Sequence, residues 1–136
     1  MYKGLVLMII DDDQEDLEIF QEVVSSIDPA ITLLQSFDPE EALVKLDIAG
    51  SNLPDIIFLD LNMPRMNGME CLQIIKQMEK VKEVPVIMHS TSSSIRDIER
   101  SKELGATSFI TKPSTPSELK SKLLEIFGTV LIGRNN

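Results

Sequence analysis

The sequence predicts an α/β fold: an open sheet of five parallel strands in the order 2-1-3-4-5, with helices on both faces. Short apolar runs alternate with segments of helical periodicity along the whole chain. Such an alternation indicates parallel strands, because parallel neighbours must be joined by a crossover. The length of 136 residues fits one domain of this kind.

Five short segments have the pattern of strands, and the first of them is a continuous apolar run rich in branched side chains, as expected of a strand buried on both faces. The first, GLVLMII, is apolar throughout and leads directly into three aspartates. The predicted strands span residues 4–10, 30–37, 55–60, 84–90 and 107–111.

Five further segments have apolar residues at helical spacing and capping residues at their ends. Asp13 is expected to cap the first helix, and Asp38 the second, with Pro39 at its first position. Gly105 and Gly128 are expected to end the fourth and fifth helices. The predicted helices span residues 14–27, 38–50, 68–80, 94–105 and 115–128.

Composition narrows the classes of function. The net charge of -9 argues against direct binding of nucleic acid, which requires a clustered basic surface. No apolar run approaches the ~20 residues that span a bilayer, and the N-terminal segment lacks a signal-peptide pattern. The single cysteine, Cys71, cannot form an internal disulfide. We therefore expect a cytoplasmic protein with no membrane contact, and with a cation site or a protein partner.

Aspartates follow two strands that this topology makes neighbours. Asp11, Asp12 and Asp13 end the first strand, and Asp60 ends the third, at the crevice where such sheets bind ligands. Clustered carboxylates repel one another unless a cation or protons lie between them. Mg2+ fits an all-oxygen site of this kind, and Asp60 is a candidate carboxylate nucleophile towards a phosphoryl group. Ser90 ends the fourth strand and Lys112 lies just past the fifth, and both would stabilise phosphoryl oxygens.

Four stretches in this order carry a resemblance to a known family: IIDDD (9–13), DLNMPRMNG (60–68), PVIMHST (85–91) and GATSFITKP (105–113). From about Leu5 to Phe127 the chain resembles a response-regulator receiver domain of two-component signal transduction, of the stand-alone type with the flavodoxin-like fold. The resemblance implies Asp60 as the phosphoacceptor, with Asp12 and Asp60 as direct Mg2+ ligands. It also implies Asp11 as a ligand through water, and the backbone carbonyl of Asn62 as a further ligand.

The resemblance implies roles for residues on the last two strands as well. Ser90 and Phe109 stand at the switch positions, and Lys112 precedes a proline whose peptide bond is usually cis in the family. Asn62 and Ser92 stand where the family tunes the lifetime of the phosphoryl group. Thr91 replaces a common alanine, so its larger side chain is expected to narrow access to Asp60.

His89 is the only histidine, and it lies in the predicted fourth strand. A packed or half-exposed histidine is therefore the expectation, and not a phosphotransfer role.

These features predict a phosphoacceptor switch with a receiver domain at residues 1–128 and a short tail at 129–136. A histidine kinase or phosphotransfer protein is the expected donor, and we expect no enzymatic activity beyond self-catalysed phosphotransfer and autodephosphorylation. With only TVLIGRNN after the last helix, the output is expected to be a protein partner or a homodimer through the fourth helix, fifth strand and fifth helix.

Two alternatives stay open. The first is a degenerate receiver that docks partners without phosphorylation. The second is a phosphatase of the haloacid dehalogenase type, which also uses an aspartyl nucleophile and Mg2+. Asn62 counts against it, because such phosphatases carry an aspartate two residues after the nucleophile.

Overall fold

A computed structural model describes residues 2–50, 52–92 and 94–131. Strands and helices alternate in these ranges, as the sequence predicts. The strands are β1 (Val6–Ile10), β2 (Thr32–Ser36), β3 (Ile56–Asp60), β4 (Val86–Ser90) and β5 (Ser108–Thr111). The helices are α1 (Gln14–Ile27), α2 (Pro39–Ile48), α3 (Gly68–Gln77), α4 (Ile95–Glu103) and α5 (Pro116–Val130).

The strands form one five-stranded sheet in the order β2-β1-β3-β4-β5, and each neighbouring pair is parallel. The predicted fold class and strand order are therefore confirmed. Two apolar clusters cover the two faces of the sheet. One cluster joins the sheet to α1 and α5, and the other joins it to α2 and α3. Because both faces of the sheet are packed against helices, β3 and β4 are buried at every position.

Helix α1 has the predicted bounds, residues 14–27, because its N-cap residue and its stripe of apolar residues both indicate the same helix. The side chain of Asp13 accepts hydrogen bonds from the backbone N–H groups of Glu15 and Asp16, which the helix itself leaves unpaired. The predicted cap of α2 is likewise confirmed, since Asp38 accepts from the backbone of Glu40 and Pro39 begins the helix.

The predicted end of the last helix at Gly128 is wrong, because α5 continues to Val130. Val130 and Leu131 are partly buried against the cluster on the α1 side of the sheet. Packing of these additional residues outweighs the cost of about 1 kcal/mol that a glycine brings to a helix interior. Helix α3 differs in the other direction and ends at Gln77, before the predicted residue 80. There the chain turns inward and buries Val81.

Within the described ranges, no helix combines the length and the apolar character needed to cross a membrane. The division into a domain at residues 1–128 and a tail from residue 129 stays a prediction, and residues 132–136 of that tail lie outside the described residues. Residue 129 itself belongs to α5.

Candidate functional site

Four side chains singled out from the sequence meet at the carboxyl edge of the sheet. Asp60 and Ser90 are the last residues of β3 and β4, while Asp11 and Lys112 directly follow β1 and β5. Ile10 pairs with Leu59 in the sheet, so the residues after them, Asp11 and Asp60, lie side by side. Parallel strands thus bring together residues that are far apart in the chain.

Three carboxylates form the acidic part of this site. One oxygen each of Asp11, Asp12 and Asp60 lies within 4.8 Å of the other two. Asp11 and Asp60 are buried, whereas Asp12 is exposed. Burial, together with the charge of Asp60, raises the pKa of Asp11 to about 7 despite opposing contributions from the Asp13 backbone and Lys112. Burial also raises the pKa of Asp60, although Lys112 opposes the increase.

This cluster fits a divalent metal ion. The available donors are carboxylate oxygens, which hard cations such as Mg2+ prefer. Within the described residues, the buried Oδ2 atom of Asp11 accepts no well-directed hydrogen bond, although the Lys112 Nζ atom lies 3.1 Å away. A cation bound by Asp11, Asp12 and Asp60 would satisfy that oxygen and offset the burial and the repulsion that together raise both pKa values.

Lys112 supplies positive charge to the same pocket. Its Nζ atom lies 2.6 Å from Asp16 Oδ2, 3.1 Å from Asp11 Oδ2 and 3.5 Å from Asp60 Oδ2. Burial alone would lower the pKa of Lys112, but these three carboxylates together raise it well above its usual value. The ammonium group is therefore charged at neutral pH and is shared among several anions.

The hydroxyl group of Ser90 is at the centre of a small polar network. Its Oγ atom is buried and accepts hydrogen bonds from Asn62 Nδ2 and from the backbone N–H of Ser92, each at 3.2 Å. The backbone N–H of Asn62 in turn donates to Asp60 Oδ1 at 3.4 Å. Two residues identified as candidates for tuning, Asn62 and Ser92, thus contact Ser90, the serine predicted at the switch position.

Two other predicted site residues lie outside this network. Phe109 is half-buried on β5 and packs against the cluster on the α2 side of the sheet. Thr91 is exposed just after β4. The roles of both residues stay predictions, as do the metal, catalytic and tuning roles of the others. Among the described residues there is no cis peptide bond, so Lys112 and Pro113 are joined in trans.

His89 is packed in β4, with 6% of its surface exposed. Burial and the nearby charge of Lys112 lower its pKa to about 3. The imidazole is consequently neutral at physiological pH and inaccessible to a partner. This burial confirms the expectation of a packed histidine.

A glycine allows α3 to begin directly against the phosphoacceptor candidate. A Cβ atom on Gly68 would lie 2.3 Å from the carbonyl oxygen of Asp60 and 2.7 Å from the Cα atom of Leu61. The backbone N–H of Gly68 also donates to the carbonyl of Leu61 at 2.8 Å. Only glycine fits this approach, so Gly68 helps to fix the backbone that carries Asp60.

Sequence reasoning missed the contact between Lys112 and Asp16. Asp16 lies in the first turn of α1, where an acidic residue is ordinarily explained by the helix dipole. The signal that could have identified it is position, because the start of α1 lies at the same edge of the sheet as Asp11. The side-chain conformation that joins Asp16 to Lys112 is not encoded in the spacing.

Comparison with known proteins agrees with this geometry. A family model described as the response regulator receiver domain matches residues 7–124. Chemotaxis protein CheY1 of Helicobacter pylori is 29% identical over 123 residues, covering 90% of this chain and 97% of the relative. Response regulator Rcp1 of Synechocystis is 33% identical over 120 residues, covering 84% of this chain and 80% of the relative.

Solved structures show the same similarity. The Mn2+-bound form of response regulator Rcp1 has a TM-score of 0.80 at 28% identity, covering 93% of this chain and 94% of that one. The phosphorylated cyanobacterial phytochrome response regulator RcpA has a TM-score of 0.81 at 31% identity, covering 90% and 92%. The CheX–CheY–BeF3–Mg2+ complex from Borrelia burgdorferi has a TM-score of 0.78 at 26% identity, covering 92% and 90%.

The carboxylate cluster, the paired lysine and the sheet order define a phosphoacceptor domain of two-component signalling. This chain belongs to the response-regulator receiver domain family. Proteins of the family act as phosphoacceptor switches, generally bind divalent metal ions, and interact with histidine kinases and phosphotransfer proteins.

Proposed function

We propose that this protein is a phosphoacceptor switch in which Asp60 receives a phosphoryl group from a histidine kinase or a histidine phosphotransfer protein. The observation that carries the proposal is the convergence of Asp60 with Asp11, Asp12 and Lys112 at one edge of the sheet. We also propose the cytoplasm as its location, in keeping with the single, buried cysteine.

The chemistry is a transfer between two covalent phosphoryl carriers. A carboxylate oxygen of Asp60 forms a new P–O bond as the P–N bond of the donor phosphohistidine breaks, and the departing imidazole nitrogen takes a proton from solvent. Burial of Asp60 excludes most water from the acceptor oxygen. We propose that Lys112, whose Nζ atom lies 3.5 Å from Asp60 Oδ2, and the buried hydroxyl of Ser90 bind oxygens of the transferred group.

We propose Mg2+ as the cofactor, held directly by carboxylates of Asp12 and Asp60 and by the backbone carbonyl of Asn62, with Asp11 acting through a bound water molecule. When bound, the ion neutralises charge on the carboxylates and on the phosphoryl oxygens. Asp60 can serve as both ligand and acceptor because its carboxylate has two oxygens.

The output is proposed to be a change in affinity for a downstream protein. A phosphoryl group that draws Ser90 and Lys112 towards Asp60 would rearrange the Asn62–Ser90–Ser92 network and shift the packing of Phe109. On the surface of α4 and α5, Ile95, Ile98 and Leu124 are exposed apolar side chains. Such an apolar surface suits a protein partner or a second copy of this chain.

Phosphorylation can be tested by intact mass spectrometry after incubation with acetyl phosphate and Mg2+. The wild type is expected to gain one phosphoryl group, while an Asp60→Asn variant and an EDTA-treated sample gain none. If the folded, Mg2+-binding wild type gains none from acetyl phosphate or from histidine-phosphorylated donors, the phosphoacceptor proposal is wrong. Partner binding unchanged in Asp60→Ala would then favour the docking module.

We propose no enzymatic activity beyond self-catalysed phosphotransfer and autodephosphorylation. Asn62 occupies the position where a haloacid dehalogenase phosphatase carries its general acid, and its side chain donates to Ser90 instead. We therefore expect no sustained release of phosphate from small phosphate esters. Multiple turnovers of p-nitrophenyl phosphate that disappear in Asp60→Asn would overturn this view.

A further inference from the structure

Asp16 makes the shortest ion pair of the candidate site. The Lys112 Nζ atom lies 2.6 Å from Asp16 Oδ2 and 3.5 Å from Asp60 Oδ2. The contact spans 96 positions of the chain and joins the first turn of α1 to the end of β5. Asp16 is one-third exposed, so it belongs to the rim of the site and not to the carboxylate cluster.

We propose that Asp16 is a positioning residue that holds Lys112 back from the phosphoacceptor and thereby sets both metal affinity and the rate of phosphotransfer. The inference extends the proposed function, on which its phosphotransfer part rests. Asp16 would act through Lys112, with no contact to the metal or to the phosphoryl group.

The first consequence concerns metal binding. Lys112 contacts Asp11 and Asp60, the same carboxylates that fit a divalent ion, so ammonium and metal compete for these oxygens. Asp16 draws the ammonium towards the rim and weakens that competition. Without the Asp16 carboxylate, Lys112 would pair more closely with Asp11 and Asp60, and the metal would bind less tightly.

The second consequence concerns the phosphoryl group. During transfer, Lys112 must move from carboxylate partners to phosphoryl oxygens, and its contact with Asp16 has to lengthen or break. Asp16 therefore stabilises the resting arrangement relative to the transition state. Removing its charge is expected to accelerate transfer once the metal site is saturated.

The test compares Asp16→Asn with the wild type. We expect the Mg2+ dissociation constant, measured by calorimetry, to increase about fivefold, and the rate constant for phosphorylation by acetyl phosphate at saturating Mg2+ to rise about fivefold, as for a contact of moderate strength. Asp16→Glu keeps the charge and is expected to restore both quantities at least in part.

The matched control is Glu15→Gln, which removes a charge from an exposed neighbour in the same helical turn. The ion pairs that Lys112 makes with described residues are those with Asp11, Asp16 and Asp60, so this control reports only the loss of net charge. The proposal is overturned if Asp16→Asn and Glu15→Gln have the same Mg2+ dissociation constant and the same rate constant for phosphorylation. It is also overturned if Asp16→Asn binds Mg2+ more tightly, or is phosphorylated more slowly, than the wild type.

A double-mutant cycle tests the route through Lys112. In a Lys112→Gln background, Asp16→Asn is expected to leave the Mg2+ dissociation constant unchanged, because no ammonium remains to be released. An undiminished effect there would show that Asp16 acts without Lys112 and would refute the inference.

NMR spectroscopy tests the contact directly. In the metal-free wild type, NMR signals of the Lys112 ammonium are expected to show protection from exchange that Asp16→Asn removes. These two measurements need no phosphorylation, so they stand even if the phosphoacceptor proposal fails.

Discussion

At the scale of single residues, the site is governed by how unfavourable it is to bury carboxylates next to one another. Asp11 is fully buried, and its pKa is raised to about 7, chiefly by that burial. A metal ion binds the deprotonated carboxylate, so binding to the protonated protein must release a proton. Metal affinity is therefore coupled to pH near neutrality.

The expected result is that Mg2+ affinity is constant above about pH 7 and falls below it. In the metal-free folded protein the pKa of Asp11 is raised to about 7, so protons compete with the metal for this carboxylate as the pH decreases through that value. Displacement of one proton weakens binding by at most about tenfold per pH unit. Calorimetric titrations between pH 5.5 and 8 measure this dependence, and an Asp11→Asn variant is expected to bind weakly with a flatter profile. Equal affinity across the range would contradict the assignment of Asp11 to the metal site.

The hydroxyl group of Ser90 leads to a second prediction about a single side chain. Ser90→Ala removes a buried oxygen that accepts from Asn62 and Ser92, and with it a donor for phosphoryl oxygens. Phosphorylation by acetyl phosphate is expected to slow about tenfold or more. Ser90→Thr restores the hydroxyl and is the matched control, with recovery limited by the added methyl group in a fully buried position. A rate in Ser90→Ala equal to that of the wild type would remove Ser90 from the site.

At the scale of secondary-structure elements, the start of α3 is fitted to the end of β3. Gly68→Ala would place a Cβ atom 2.3 Å from a backbone oxygen of Asp60, which cannot move aside as a flexible side chain could. We expect this substitution to destabilise the fold by about 1–3 kcal/mol and to weaken Mg2+ binding, because the backbone of Asp60 must shift.

Gly128 in α5 is the matched control for that substitution. A Cβ atom there meets nothing within 4 Å, and the residue lies inside a helix. Gly128→Ala is expected to stabilise the protein by about 0.5–1 kcal/mol and to leave Mg2+ affinity unchanged. Urea unfolding measures both free energies. If the two variants had similar stabilities, close packing at Gly68 would not be the cause.

Elements also show what can be predicted from this sequence. The order of the strands and the meeting of Asp11 with Asp60 follow from alternation and topology, because parallel strands end at one edge. Helix ends were less predictable: α5 passes through Gly128 because Val130 packs against the core, and α3 stops early because Val81 is buried. These outcomes depend on tertiary packing, which a local pattern does not contain. The Asp16–Lys112 ion pair was missed for the same reason, since it depends on the conformations of two side chains.

At the scale of the whole molecule, the carboxylates of the proposed metal site oppose folding in the absence of metal. Burial raises the pKa of Asp60, so its ionised form is disfavoured in the folded state. A carboxyl group whose pKa is higher in the folded state favours folding only while it is protonated. This contribution to stability is present at low pH and is lost as the pH rises through the pKa of the folded state. Metal-free protein at a pH above that value therefore carries the unfavourable contribution of the ionised group.

Asp60→Asn removes that charge, and we expect the metal-free variant at pH 8 to be more stable than the wild type by about 1 kcal/mol. Mg2+ should reverse the order. Binding to the folded state alone adds about 2.7 kcal/mol when the free metal is at 100 times its dissociation constant, and the variant lacks a ligand and gains less. Thermal unfolding of both proteins with EDTA and with saturating Mg2+ measures the four values. If the wild type is more stable than Asp60→Asn in EDTA, Lys112 already compensates the charge of the buried carboxylate. If Mg2+ raises the unfolding temperature of both proteins equally, Asp60 is not a ligand.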